Sequence, residues 1–402
     1  MSRVLDRSLE RGSDRERGGG PQRPRMVHET QVTSWDKPLF AITLTLMLVG
    51  LFAVFSASAH QALRESGNSW SYFLKQLLAA VAGLGLMTGI ARINYQVWRR
   101  WSMPFAFFSV ALLVATMFVG TTANGSERWL PLPFGFQFQP SDLAKLAAIG
   151  LIAEATATQK FFTPLLFRNM AMVLVMVGLI YQQPNLSVSM ILMALSGMML
   201  FVAGVPWQVF VIGIPLVGYG IYQKILQTPY QLRRIQGWLH PWDDPQDTGY
   251  NLIQSLYAIG SGGLFGVGFG HSVQKMYYLP FQHTDFIFSV ICEELGFFGA
   301  LLIIGLFAAL AYRGFSIAFN CPSRFGQMMA FGITAAITLQ AAINISVTTG
   351  LMPVTGVTLP LISYGGTSMM ITLAMIGILL SVSRYKLTIR LNDPEQGSRG
   401  YF

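Results

Sequence analysis

Long apolar runs separated by short polar breaks dominate the chain. A helix crossing the hydrocarbon core of a bilayer needs about 17–25 mostly apolar residues. Such runs occur at 38–58, 73–91, 103–122, 142–158, 169–182, 187–203, 207–225, 285–311, 327–348 and 364–383. Between the fifth and sixth runs the only break is QQPN (182–185), where a proline without an N–H sits among amide side chains. That composition predicts a tight turn at the membrane surface. Pro353 and Pro360 frame a second irregular stretch, a broken or re-entrant segment, and SYGGTS (363–368) sets up the start of the last helix. The pattern predicts an all-α polytopic integral membrane protein with about ten transmembrane helices.

Composition agrees, and charge orients the chain. The 402 residues are 52% hydrophobic and only 11% charged, with a mean hydropathy of +0.49. Soluble chains carry about 25% charged residues, so a water-soluble multidomain enzyme is excluded. Two cysteines, Cys292 in an apolar run and Cys321 in a basic loop, make no disulfide scaffold. The net charge of +9 is sorted by side rather than gathered into a nucleic-acid-binding patch. Lys and Arg collect in 1–37, in the loops 92–101, 159–168 and 312–325, and in the carboxyl tail. By the positive-inside rule both termini are cytoplasmic, and no nucleic-acid partner is implied. Residues 1–37 read as a disordered cytoplasmic tail, 38–385 as the membrane domain, and 386–402 as a second cytoplasmic tail.

The polar chemistry then falls outside, in 123–141 and in a large extracytoplasmic loop, 226–284, between helices 7 and 8. The first segment leads through Arg128-Trp129 to Ser141, placed as a helix N-cap, with Asp142 and Lys145 three apart on one face. Lys145 either snorkels to the surface or joins Arg128 on an anionic headgroup such as a pyrophosphate, with Asp142 orienting it. The second segment carries Arg233 and Arg234, an Asp-rich turn (243–247), and six glycines within 258–270. No strand precedes those glycines, so they suit tight turns or close approach to a ligand rather than dinucleotide binding. Beyond them come Lys275, His283 and Asp285, the last at the mouth of a helix. A half-desolvated carboxylate there suits a general base, although capping the helix is the plainer role. Glu293 and Glu294, deeper in the same helix, read as a structural pair bonded to a neighbouring helix, with a proton path as the other reading.

With these residues in view, the chain resembles the SEDS family, the shape, elongation, division and sporulation proteins. NGSERWL, FQPSDLAK, QPN, HTDFIF, EELGF and LPLISYGGTS occur in the family's order across roughly 38–385. The resemblance implies a peptidoglycan glycosyltransferase polymerising lipid II outside the bacterial cytoplasmic (inner) membrane. The partners it implies are a class B penicillin-binding protein and other cell-division proteins. By motif, Asp285 matches the family's essential acid, and Arg128, Asp142 and Lys145 its polar cluster. Asp142 stands where Glu is usual, Phe281 where many members have Glu, and Asn185 where Asp is usual. Asn185 and the charged amino-terminal tail lean toward the division branch, acting at the septum, over the elongation branch.

The expected reaction has Asp285 as catalytic base, with Arg128, Asp142, Lys145, Arg233, Arg234, Lys275 and His283 binding substrate. No protein metal site is apparent, and a divalent cation (Mg2+ or Mn2+) is an open addition. The competing classes are a lipid II flippase or other transporter, which embedded mid-helix charges would favour, and a non-catalytic scaffold.

Overall fold

All ten apolar runs become helices in the computed structural model, which describes residues 25–123, 126–131, 137–158, 162–183, 185–276 and 279–392. They are α1 (Lys37–Ser66), α2 (Ser71–Arg92), α3 (Gln96–Val119), α4 (Pro140–Thr156), α5 (Pro164–Gln182), α6 (Leu186–Ala203) and α7 (Trp207–Gln227). The large loop adds α8 (Pro229–Leu239) and α9 (Tyr250–Ser261), and α10 (Ile287–Asn320), α11 (Arg324–Thr348) and α12 (Gly366–Ser383) complete the bundle. Nine of these, among the described residues, are long and apolar enough to cross a membrane by themselves. The tenth, α4, has only 17 residues and is almost wholly buried. Its Ala- and Gly-rich surface lets α3, α5, α6 and α11 close around it. At the other extreme α7 buries none of its residues, as expected of a helix surrounded by lipid.

The helices break where the turn was expected, α5 ending at Gln182 and α6 starting at Leu186; Pro184 lies outside the described residues, and the buried Gln183 Nε2 donates to Leu113 O and Thr116 Oγ1, each at 2.8 Å. Helix α3 begins at Gln96, seven residues before its apolar run, so Arg99 and Arg100 are helical rather than in a loop. Part of the expected amino-terminal tail is ordered backbone. Strand β1 (Arg25–Val32) pairs antiparallel with β5 (Tyr385–Asn392), which places both ends of the described chain on one face. Residues 1–24 and 393–402 of the two expected tails lie outside the described residues. On that face Asp36 caps α1, accepts from Arg313 at the end of α10, and donates its N–H to Ser383 Oγ at 3.0 Å. Three short strands, β2 (Thr121–Ala123), β3 (Ser126–Pro131) and β4 (Gln137–Phe138), form an antiparallel sheet between α3 and α4.

Two interruptions shape the opposite face. Helix α10 is broken at Gly296 (φ 67°, ψ −163°), a conformation essentially reserved for glycine. Inside a membrane the backbone groups freed by a break must find partners. The glycine-rich loop supplies them: Val267 N–H and Gly268 N–H donate to Glu293 O and Glu294 O at 2.9 and 3.1 Å. In return, Gly263 O and Leu264 O accept from Phe297 N–H and Phe298 N–H at 2.9 and 3.3 Å. The close approach anticipated from the glycines is therefore to helix backbone, and a Cβ on Gly262 or Gly266 would lie within 2.1 Å of a carbonyl of α10. The second interruption is 351–365, non-helical as predicted, which lies against Gly50 of α1.

Gly296→Ala combines a forbidden φ with a Cβ only 2.4 Å from Gly266 N. The expected result is a loss of about 3 kcal/mol or more of stability, read as a lowered melting temperature in detergent, with a proteolytically nicked 262–276 loop.

Candidate active site

At the face opposite the termini the helix starts, the broken segment and the large loop enclose a cavity of about 650 Å³. Its floor is the first turn of α4. Pro140 occupies the first helical position and Gln139 the cap, so Ser141 is a buried residue inside the first turn rather than the expected N-cap. One turn on, Lys145 Nζ lies 2.8 Å from Asp142 Oδ1 and donates to Gln340 Oε1 at 2.6 Å, with both charged side chains buried. Gln340 is held in turn by donating to Thr358 O at 3.0 Å. Lys145 therefore does not snorkel; it is neutralised in place at the cavity wall.

Asp285 also lines the cavity, half-buried, one residue before the α10 cap, Phe286. The cap position itself belongs to Phe286. Asp285 Oδ2 faces Gly356, where a Cβ would sit 3.5 Å away and at a φ of +68°. A third wall is α8, an amphipathic helix carrying Arg233, exposed, and Arg234, whose guanidinium stacks on the Tyr230 ring at 4.5 Å. Gly237 lets α8 press against Thr248 O (2.4 Å for a Cβ), and Asp244 accepts from both Thr248 N–H and Oγ1, which fixes the turn behind it. Asn185 and Phe281 complete the lining. Asp142, Lys145, Arg233, Arg234 and Asp285 thus meet around one space.

Two expected site residues, Lys275 and His283, do not join them. The side chain of Arg128, on β3, lies outside the described residues. Lys275 is buried at 2% exposure and turned away from the cavity, its Nζ 2.8 Å from Glu294 Oε1 and 3.0 Å from Ser56 Oγ. Its closeness to Asp285 in sequence misleads, because the chain folds back so that it meets a residue further along α10. Glu293 accepts from Ser272 Oγ and from Val273 N–H at 2.8 Å. Both deep carboxylates are therefore structural: Glu294 bonds to α1, as the pair reading expected, and Glu293 holds the loop. His283 is packed behind the cavity wall between Tyr72 and Tyr364, with ring centroids 5.2 and 5.6 Å away. Burial pushes its pKa down to about 4, so the imidazole is neutral near pH 7.

Gln340 and Asn344 were not singled out as site residues. Their signal was two amides four apart on one face of a membrane-spanning helix, α11.

A bundle of apolar helices with a charged cavity at one end, floored by a buried Asp–Lys pair, defines a polytopic membrane protein. Residues 37–388 match the FtsW/RodA/SpoVE family model, described as "cell cycle protein". The chain belongs to this family. It is 42% identical to stage V sporulation protein E of Bacillus subtilis, over 89% of this chain and 99% of that one. It is 38% identical to a probable peptidoglycan glycosyltransferase FtsW of Trichlorobacter lovleyi, over 88% and 94%. Among solved structures it superposes on a chain from a study of polymerization and crosslinking by a peptidoglycan synthase complex, with a TM-score of 0.72, 30% identity and 87% and 98% coverage. It also superposes on the rod shape determining protein RodA of Thermus thermophilus, with a TM-score of 0.65, 28% identity and 87% and 97% coverage.

Removing one partner of a buried ion pair costs about 3–5 kcal/mol, whereas replacing both with apolar residues is often neutral. Lys275→Ala is expected to destabilise the protein by that amount, and Lys275→Met with Glu294→Leu to recover most of it in detergent melts. A substrate-binding lysine would instead leave the melts unchanged.

Proposed function

We propose that the chain polymerises lipid II, and that the peptidoglycan glycosyltransferase activity for which its relatives are named resides in this cavity. The observation that carries the reading is the meeting of one half-buried carboxylate, Asp285, with the Asp142–Lys145 pair and the α8 arginines around a single space at the membrane boundary. The 4-hydroxyl of the acceptor N-acetylglucosamine attacks C1 of the donor's N-acetylmuramic acid. A C1–O bond forms, the C1–O bond to phosphate breaks, and undecaprenyl pyrophosphate leaves with the electron pair. Asp285 takes the hydroxyl proton, for which its carboxylate must come within about 3 Å of the acceptor oxygen. Arg233 and Arg234 meet the charge developing on the pyrophosphate, a stabilisation that grows as water is excluded. Lys145, already compensated by Asp142, fixes the donor sugar or phosphate by geometry more than by net charge.

A divalent cation would enter on the pyrophosphate oxygens. Among the described residues no three His, Cys, Asp or Glu side chains gather at metal-ligand spacing, and Mg2+ commonly binds through substrate phosphates with only one or two carboxylates. A transporter would keep embedded charges available to change partners. Here Glu154 accepts from Ser102 Oγ at 2.7 Å and Asn169 Nδ2 at 3.2 Å, and Glu293 and Glu294 are bonded as above, which supports a fixed site over alternating access.

The setting we assign is the bacterial inner membrane at the division septum, beside a cross-linking class B penicillin-binding protein and other division proteins. This rests on Asn185 at the cavity wall and on the charged amino-terminal tail.

With purified lipid II and the cognate penicillin-binding protein, the wild type is expected to yield glycan chains. Asp285→Ala is expected to lower the rate about 10²–10⁴-fold, the usual contribution of a positioned base. Equal rates would remove Asp285 from the chemistry. A wild type that makes no chains but moves lipid II across vesicles would replace the polymerase reading with a flippase. Arg233→Ala with Arg234→Ala is expected to reduce kcat/KM at least about tenfold, checked in the same assay.

A further inference from the structure

Asp285 sits one residue outside the regular hydrogen bonding of α10, so the helix alone does not fix its backbone. The loop before it carries Phe281 at φ +55°, a conformation an aromatic residue rarely adopts and holds only when its surroundings impose it. Three consecutive carbonyls supply the hold. Tyr364 N–H donates to His283 O at 2.8 Å, Ser363 Oγ to Thr284 O at 2.6 Å, and Asn344 Nδ2 to Asp285 O at 2.7 Å.

The donors are themselves anchored. Asn344 Nδ2 spends its second hydrogen on Val357 O at 2.7 Å, joining the Asp285 loop to the broken segment through one nitrogen. Ser363 Oγ accepts from Leu359 N–H at 2.8 Å while donating to Thr284 O. Gln76 of α2, fully buried, grips the same turn at both ends: its Nε2 donates to Ser363 O and its Oε1 accepts from Gly365 N–H, each at 3.1 Å. The chain of contacts runs from α2 through the SYGG turn to the three carbonyls, with α11 closing it from the other side.

We infer that Asn344 and Ser363 are positioning residues that set the place of the Asp285 carboxylate, an inference that rests on the assignment of Asp285 as the base. Both are more than nine-tenths buried and neither lines the cavity, so substrate does not touch them. Their effect therefore falls on the chemical step rather than on binding. The Asn344 role needs two hydrogens on one nitrogen. Leucine keeps the shape and lacks both. The Ser363 role needs a hydroxyl, which threonine keeps and alanine lacks.

The test measures kcat and KM for lipid II with the full chain and its penicillin-binding protein, on variants whose detergent melts match the wild type. A shift of about 1 Å in a catalytic group lowers rate by as much as 10²-fold. Asn344→Leu and Ser363→Ala are expected to lower kcat by about 10- to 100-fold, with KM within about twofold of the wild type and Ser363→Thr restoring most of the loss. If Asn344→Leu does not fold, the Ser363 pair decides. The inference is overturned if folded Ser363→Ala keeps kcat within twofold, if the loss appears in KM alone, or if Ser363→Thr is no better than Ser363→Ala. Wild-type protein that makes no chains overturns the polymerase reading and this inference together, whereas chains from the wild type with undiminished kcat in the variants overturn only the inference.

Discussion

The rule that a backbone polar group in hydrocarbon must find a partner inside the protein governs this structure. Most of the chain obeys it by being helical, and many buried hydroxyls obey it locally, as Thr43, Ser58 and Ser196 do by donating to the carbonyl four residues back. The places where helices stop short are the ones that need other chain segments. Broken α10 draws in the glycine-rich loop, and the gap between α11 and α12 draws in Gln76 and Asn344. The cavity lies beside these two repairs.

Charge follows a parallel logic. Each deeply buried ionic group is matched: Lys145 with Asp142, Lys275 with Glu294, and Glu293 with a hydroxyl and backbone N–H groups. Such matching is required where desolvation makes a lone charge expensive. The cavity is lined by Asp285 and the exposed Asp247, by the Asp142–Lys145 pair, and by Arg233 and Arg234.

The membrane spans were legible because hydropathy over some twenty residues reports directly on a bilayer-crossing helix. The Asp142–Lys145 pair was legible from a spacing of three, and Asp285 from the motif around it. What escaped notice had several causes. Lys275 looked like a neighbour of Asp285 until the fold turned it onto Glu294, and Ser141 looked like a cap until Pro140 took the first helical position. Helices α8 and α9 are short and amphipathic, so a search for long apolar runs passes over them. Arg99 and Arg100 resemble loop residues although α3 continues through them to the membrane surface.

Helix α12 is the last to be made and among the most buried, lying along α2 with Gly377 against the Met87 backbone and Leu373 against Gly83. Strand β5, which follows it, pairs with β1 from before the first helix. During synthesis, then, the early helices wait in the bilayer with their central neighbour missing, and the interior closes only after nearly the whole chain has left the ribosome. Contacts so distant along the chain are slow to form. A nascent chain halted before α12 is left with an open seam in lipid, a form that membrane quality control can tell from the finished protein.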